Sequence, residues 1–229
     1  MSTFHEIERA ILNLSQLEFQ RLAAWIEELG ESRLGIAEPP SARPVELGPP
    51  MTVEEYLDFE SRSRNRHEYL AGEVFAMSGV SRRHNRIVRR LCEALGNHLA
   101  GGPCEVHFAD VQVKLRVNRD DYVYYPDVMV VCDRGRDEDR FVTNPKLIIE
   151  VLSQSTEGVD RHEKRCNYRW ISALEEYVIV AQKAAEVTVF RRREDWRPAA
   201  LDSVDASLEL RSIGLTVPLA QIYEREAAR

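Results

Sequence analysis

The sequence predicts an α/β protein: a mixed β-sheet flanked by helices, with an N-terminal helical appendage. Three observations predict it. Short, apolar, β-prone runs crowd the region from Glu105 to Leu152 and return after residue 175. Amphipathic helical patterns stand before and between those runs. A proline-rich stretch separates residues 1–33 from everything after residue 50. Strands and helices do not alternate regularly, which favours a mixed sheet over a doubly wound parallel one.

Ile7, Ile11 and Leu14 form one apolar stripe. Ser15 and Glu18 then open a capping box, followed by Phe19, Leu22, Ile26 and Leu29 at helical spacing. Two short helices are expected in residues 1–33. Residues 34–50 hold five prolines and two glycines, an extended linker. The main domain is therefore placed at 51–229. Thr52 and Glu55 make a second capping box, and "HEYLAGEVFAMS" reads as two strands turning at Ala71-Gly72. "SRRHNRIVRRLCEALGNHLAGG" has the strongest helical stripe, Ile87, Leu91, Leu95 and Leu99. Strands are expected at Glu105–Phe108, Val111–Val117, Val123–Val131 and Leu147–Leu152. A helix follows over 157–172, then further strands at "EYVIVAQ", "EVTVFRR" and "WRPAAL". Pro218 opens a closing helix.

The net charge of −7 argues against a nonspecific nucleic-acid coat. Its distribution says more. Residues 1–50 carry eight Glu and four Arg, whereas residues 61–90 carry eight Arg against Glu68 and Glu73. A local basic stretch holds a polyanion at one place, or is simply a solvated surface. Of its arginines, Arg82, Arg83 and Arg86 open the strongest helix. Four scattered cysteines show neither C-x-x-C nor zinc-finger spacing, so reduced, buried thiols are expected. No apolar run is long enough to span a bilayer, and "MSTFHEIERA" is unlike a signal peptide; a cytoplasmic location is expected. No phosphate-cradling G-x-x-x-x-G-K-[ST] loop and no G-x-S-x-G elbow occurs, which removes the NTPase and serine-hydrolase readings.

Two apolar runs each contain an acid: Asp127 in "YVYYPDVMVV" and Glu150 in "KLIIEVLSQST". An unpaired ionised carboxylate in a buried strand costs several kcal/mol. Two such acids are tolerated together when they share a divalent cation, and Mg²⁺ prefers oxygen ligands from one or two carboxylates with water completing the shell. In the helix after Glu150, Asp160, Lys164 and Tyr168 share one face at i, i+4, i+8. Lys164 is then able to return over the end of the strand. Each residue alone has an ordinary reading. Asp127 suits a turn or edge, Glu150 a structural ion pair and Lys164 a solvated helix surface. Glu68 suits a strand edge, His84 capping or packing and Asp110 a bulge. Their conjunction points to chemistry.

Pro126-Asp127 followed by Glu150-Val151-Leu152 resembles the PD-(D/E)XK nuclease superfamily. "MTVEEYL", "HEYLAGEVFAMS", "SRRHNRIV", "YYPDVMVV", "LIIEVLSQST", "DRHEKRCNY" and "EYVIV", in that order over residues 51–225, resemble the Uma-type restriction endonuclease family. The resemblance implies a restriction-endonuclease-like fold. It implies Mg (or Mn) held by Asp127 and Glu150 with the Val151 carbonyl, a catalytic Lys164, and site-region roles for Glu68 and His84; Asp110 and Tyr168 stand beside these as accessory candidates from their place in the sequence. The superfamily's lysine ordinarily stands two residues after the glutamate. Leu152 occupies that place, and Lys164 is the candidate replacement. The first hairpin ordinarily has Asp before its Gly, where this chain has Ala71. The implied function is a Mg-dependent DNA endonuclease acting through a metal-activated water, with Arg82, Arg83 and Arg86 on phosphates and a homodimer for cleavage of both strands, the N-terminal helix being a candidate contact. The rivals are a non-catalytic nucleic-acid or protein-binding module on the same fold, and a hydrolase of small phosphates.

Overall fold

The computed structural model describes residues 48–77, 79–133, 140–153 and 163–223, with isolated positions 11, 14, 15, 18 and 22 before them. The chain divides into two units, Met1–Ala42 and Arg43–Arg229. In the first, the Ser15 capping box is formed: Glu18 N–H donates to Ser15 Oγ at 3.3 Å, and Ser15 N–H donates to Glu18 Oε2 at 2.8 Å. The rest of the two expected N-terminal helices, and most of the linker, lie outside the described residues.

The second unit opens with α1 (Val53–Arg62), capped by Thr52 and Glu55 as the sequence predicts. The hairpin β1 (His67–Leu70) and β2 (Glu73–Ala76) follows. It turns on Ala71 and Gly72, both at positive φ, 50° and 104°. That geometry matches the right-handed twist of a hairpin. Ser81 caps α2 (Arg82–Leu99), whose Ile87, Leu91 and Leu95 are buried. Then come β3 (Glu105–Phe108), β4 (Gln112–Val117), β5 (Asp120–Tyr124), β6 (Val128–Val131), β7 (Phe141–Val142) and β8 (Leu147–Val151). The short α3 (Arg165–Tyr168) precedes β9 (Glu176–Val180), β10 (Val187–Arg191), β11 (Pro198–Leu201), β12 (Ser207–Leu210), β13 (Leu215–Pro218) and α4 (Leu219–Ile222). The helix expected over 157–172 is described in its second half; residues 154–162, Asp160 among them, are outside the described residues.

One sheet has the order β2-β1-β5-β4-β7, a second β11-β10-β9-β8-β6-β3, and β12-β13 is a separate ribbon. Both large sheets are mixed, since β4 runs parallel to β7 and β8 parallel to β9. Alternation along the central strands divides the core in two. Val128, Val130, Ile149 and Val178 face α2, the ribbon and α4. Met129, Ile148, Tyr177 and Ile179 face the five-stranded sheet, through Val113, Leu115, Tyr122 and Tyr124. The six-stranded sheet is thus covered on both faces, which is why β6, β8 and β9 read as continuous apolar runs.

Three expectations are corrected. Val123–Val131 is not one strand. Residues up to Tyr124 belong to the five-stranded sheet and Val128–Val131 to the six-stranded one. The chain changes sheets across Tyr125-Pro126-Asp127, where Pro126 has no N–H to offer a ladder. The cysteines are not all reduced: Cys104 and Cys132 form a disulfide. Glu105 pairs with Val131, so these cysteines stand opposite each other one step beyond the paired residues. Their proximity depends on strand register, not on sequence spacing. Cys92 and Cys166 take no part in a disulfide. Finally, the tail holds the β12–β13 ribbon before its helix, and Pro218 ends β13 as well as capping α4.

Candidate active site

The seam between the two large sheets gathers the acids. β6 and β8 are antiparallel, with Val128 opposite Ile149. The next position places Asp127 opposite Glu150. The two are laced by the backbone: Asp127 N–H donates to Glu150 Oε2 at 3.2 Å, and Val151 N–H donates to Asp127 Oδ2 at 2.7 Å. Glu150 is 2% exposed, while the Asp127 side chain keeps 22% of its surface open. Asp127 is therefore the outward member of the pair.

Lys164 is buried with 4% of its surface exposed. Its ammonium donates to Glu150 Oε1 at 3.2 Å and lies 2.9 Å from Glu68 Oε1. It also stands 5.5 Å from the centre of the Tyr124 ring, in cation–π range. Glu68, from β1, further accepts from Tyr125 N–H at 3.3 Å. One turn beyond Lys164, the Tyr168 hydroxyl donates to Glu150 Oε1 at 3.0 Å. Burial, reinforced by Glu150, holds the Tyr168 phenol well above its ordinary pKa, so it remains a neutral donor. The i, i+4 spacing of Lys164 and Tyr168 thus aims two donors at one carboxylate oxygen.

His84, in the first turn of α2, meets Asp127 Oδ2 through Nε2 at 3.0 Å. Its backbone N–H donates to the cap Ser81 Oγ at 3.0 Å, which fixes where the ring begins. Nδ1 is buried with no hydrogen-bond partner among the described residues. This suits the tautomer whose proton is on Nε2 and donated to Asp127. Arg82, Arg83 and Arg86 are exposed on the same turns. Asp110 is not brought to this cluster. It is exposed and accepts from Arg66 Nε at 3.0 Å, a bond that lowers its carboxyl pKa.

A neighbouring polar network was not anticipated. Glu60 is buried on α1 and accepts from His67 N–H at 3.1 Å and Tyr125 O–H at 2.7 Å; its other oxygen meets His67 Nδ1 at 2.7 Å. Gln112 Nε2 donates to Tyr56 and Tyr125 hydroxyls, both at 2.9 Å. Tyr125 joins this network to Glu68. The sequence signal was present: Val53, Tyr56 and Glu60 share a helical face at i, i+3, i+7, so an acid shares the buried stripe.

The donor chemistry fits an oxygen-seeking divalent cation. Two carboxylates from neighbouring strands are held together, with the Val151 main chain between them. Among the described residues, no three His, Cys, Asp or Glu side chains converge as a metal-ligand group. A carboxylate pair completed by water and substrate oxygens is the arrangement Mg²⁺ accepts.

Fold and site together define a chain of nuclease-like α/β architecture, with an Asp–Glu pair and a lysine at the seam of its sheets. The chain belongs to the Uma2 family, described as "Putative restriction endonuclease", whose pattern matches residues 53–220. It is 40% identical over 191 residues to "Uncharacterized protein slr1290" of Synechocystis sp., covering 82% of this chain and 97% of that protein. It is 32% identical over 164 residues to "Uncharacterized protein sll1609" of the same organism, covering 69% and 92%. The fold is similar to the crystal structure of a "putative nuclease belonging to DUF820" from Anabaena variabilis, with a TM-score of 0.65 at 16% identity over 76% of this chain and 97% of that one. Among the described residues, no helix is long and apolar enough to cross a membrane.

Proposed function

We propose that the protein is a divalent-metal-dependent DNA endonuclease that hydrolyses phosphodiester bonds. The observation that carries this reading is the meeting of Asp127, Glu150 and Lys164 at one seam, where strand register pairs the acids and the following helix returns the lysine. Asp127 and Glu150, with the Val151 carbonyl, would hold Mg²⁺ or Mn²⁺. When bound, the cation polarises the phosphoryl group and offsets its developing charge. Lys164 adds a fixed positive charge beside the reacting phosphate and orients the attacking water. Glu68 anchors the Lys164 ammonium. Tyr168 holds Glu150 in one rotamer, and His84 does the same for Asp127. Arg82, Arg83 and Arg86 receive the flanking phosphates, a contact that carries no sequence information. Cleavage of both strands calls for two such sites, hence a homodimer.

The test compares nicking of supercoiled plasmid in Mg²⁺ or Mn²⁺ by the wild type, Asp127→Ala and Lys164→Ala. Both variants are expected to lose activity by about 10² or more, the scale for removing one preorganised charge from such a site. Equal nicking by all three preparations would end the proposal. Titration calorimetry separates the enzyme from a binding module on the same fold. The enzyme reading expects Mn²⁺ binding that Glu150→Ala abolishes; no binding at millimolar metal leaves the module.

A further inference from the structure

Phe108 ends the edge strand β3 and is 55% exposed. It pairs with Val128, the residue directly after Asp127. Paired Cα atoms lie about 5 Å apart and consecutive ones 3.8 Å, so Phe108 stands within roughly 10 Å of Asp127. Val106, two residues earlier and on the same face of the strand, packs into the core formed by Ile87, Leu91 and Leu95. The Phe108 ring therefore leaves the sheet on the α2 side. His84 in the first turn of α2 touches Asp127, which brings that turn level with the end of β3. The same turns carry Arg82, Arg83 and Arg86, all exposed. Val80, 54% exposed, directly precedes the cap Ser81.

More than half of the Phe108 surface is open to solvent at the tip of an edge strand, which leaves a flat apolar ring available to a partner. Its neighbours choose the partner. An apolar ring level with a helix turn that carries three exposed arginines matches a nucleotide, with its planar base and anionic phosphate, better than it matches an apolar protein face. In an intact duplex the base faces are stacked and the phosphates lie outermost, so the ring would meet backbone alone. An unpaired strand can turn a base face onto it.

Resting on the nuclease reading above, we infer that Phe108 is a stacking platform for an unpaired base next to the scissile phosphate. The site then takes a strand with unstacked bases, such as a single strand, flap or gap, in preference to intact duplex. The α2 arginines hold the flanking phosphates while the base lies against the ring.

The test measures binding of the full chain in EDTA, where no cleavage occurs, to a fluorescent single-stranded oligonucleotide and to its duplex. A second single strand carries 2-aminopurine, whose emission is quenched on stacking. The wild type is expected to bind the single strand more tightly than the duplex and to quench the probe. Phe108→Ala should weaken single-strand binding about tenfold, the scale of one lost base–aromatic stack, and abolish the quenching without changing duplex binding. Phe108→Trp should retain both. Unchanged single-strand binding by Phe108→Ala, beside a wild type that still nicks plasmid, overturns the platform and leaves the nuclease reading standing. A wild type that neither binds nor cleaves nucleic acid removes both. A dimer that Phe108→Ala converts to monomer in sedimentation, with nucleic-acid binding unchanged, assigns the ring to a protein interface and overturns the inference. A thermal melt of each variant confirms the fold.

Discussion

Lys164 faces two carboxylates, Glu68 and Glu150, and all three side chains are buried. One ammonium against two acids leaves a local excess of negative charge, which favours an added cation and makes the lysine hard to remove. Lys164→Met keeps the length of the apolar stem and deletes the charge. It is expected to destabilise the metal-free protein by about 3–5 kcal/mol, the cost of breaking a buried pair from one side. The double variant Lys164→Met/Glu68→Gln should recover much of that loss. Urea unfolding in EDTA measures both. If Lys164→Met unfolds at the wild-type midpoint, the ammonium is solvated in solution and the geometry of the cluster is wrong. The same residues show what a sequence can disclose. Asp127 and Glu150 were visible because each interrupts an apolar run, and Lys164 because it shares a helix face with Tyr168 directly after the Glu150 strand, a position the resemblance also pointed to once Leu152 had filled the expected one. Glu60 and His67 escaped notice because a carboxylate on a helix stripe is ordinary until its burial is known.

The elements that position these residues are held by local chemistry, and one of them is imperfect. The β1–β2 hairpin carries Glu68 to Lys164, and it turns through Ala71 at φ 50°. A left-handed alanine pays for its Cβ against the following carbonyl, whereas Asn relieves that strain by bonding locally. Ala71→Asn is expected to stabilise the protein by up to about 1 kcal/mol, read as a rise in the urea midpoint with an unchanged slope. A fall in the midpoint would show that the turn is not strained. This hairpin, its turn and both capping boxes were legible because each is written in adjacent residues. The break at Tyr125-Pro126-Asp127 was not, because the runs on either side are equally β-prone and the change of sheet depends on distant partners. The Cys104–Cys132 disulfide was illegible for the same reason: only the register of β3 against β6 sets those residues opposite each other.

At the scale of the whole molecule, a central sheet covered on both faces draws many polar groups into the interior, and the tyrosines are the extreme case. All eight are buried, and several anchor the seam between the sheets. Tyr124 and Tyr168 meet edge to face at 5.4 Å, and Tyr168 and Tyr177 do the same at 5.4 Å. Burial raises the phenol pKa of Tyr56, Tyr69, Tyr124, Tyr125, Tyr168 and Tyr223 above the ordinary value of 10.0. Nearby carboxylates push in the same direction, Glu163 at Tyr124 and Glu150 at Tyr168. A phenol whose folded pKa is raised stabilises the fold fully below its unfolded value. That stabilisation is lost as pH climbs above it, because the unfolded chain releases its protons first. The protein should therefore hold its stability through neutral and mildly alkaline pH and unfold cooperatively above pH 10. Tyrosinate absorbance should appear together with the loss of circular dichroism, not before it. Smooth titration of these phenols near 10 in a chain that keeps its native spectrum would show that the seam between the sheets is open to water. The polar cluster of Glu68, Glu150 and Lys164 would then lack the low-dielectric surroundings that give its charges their strength.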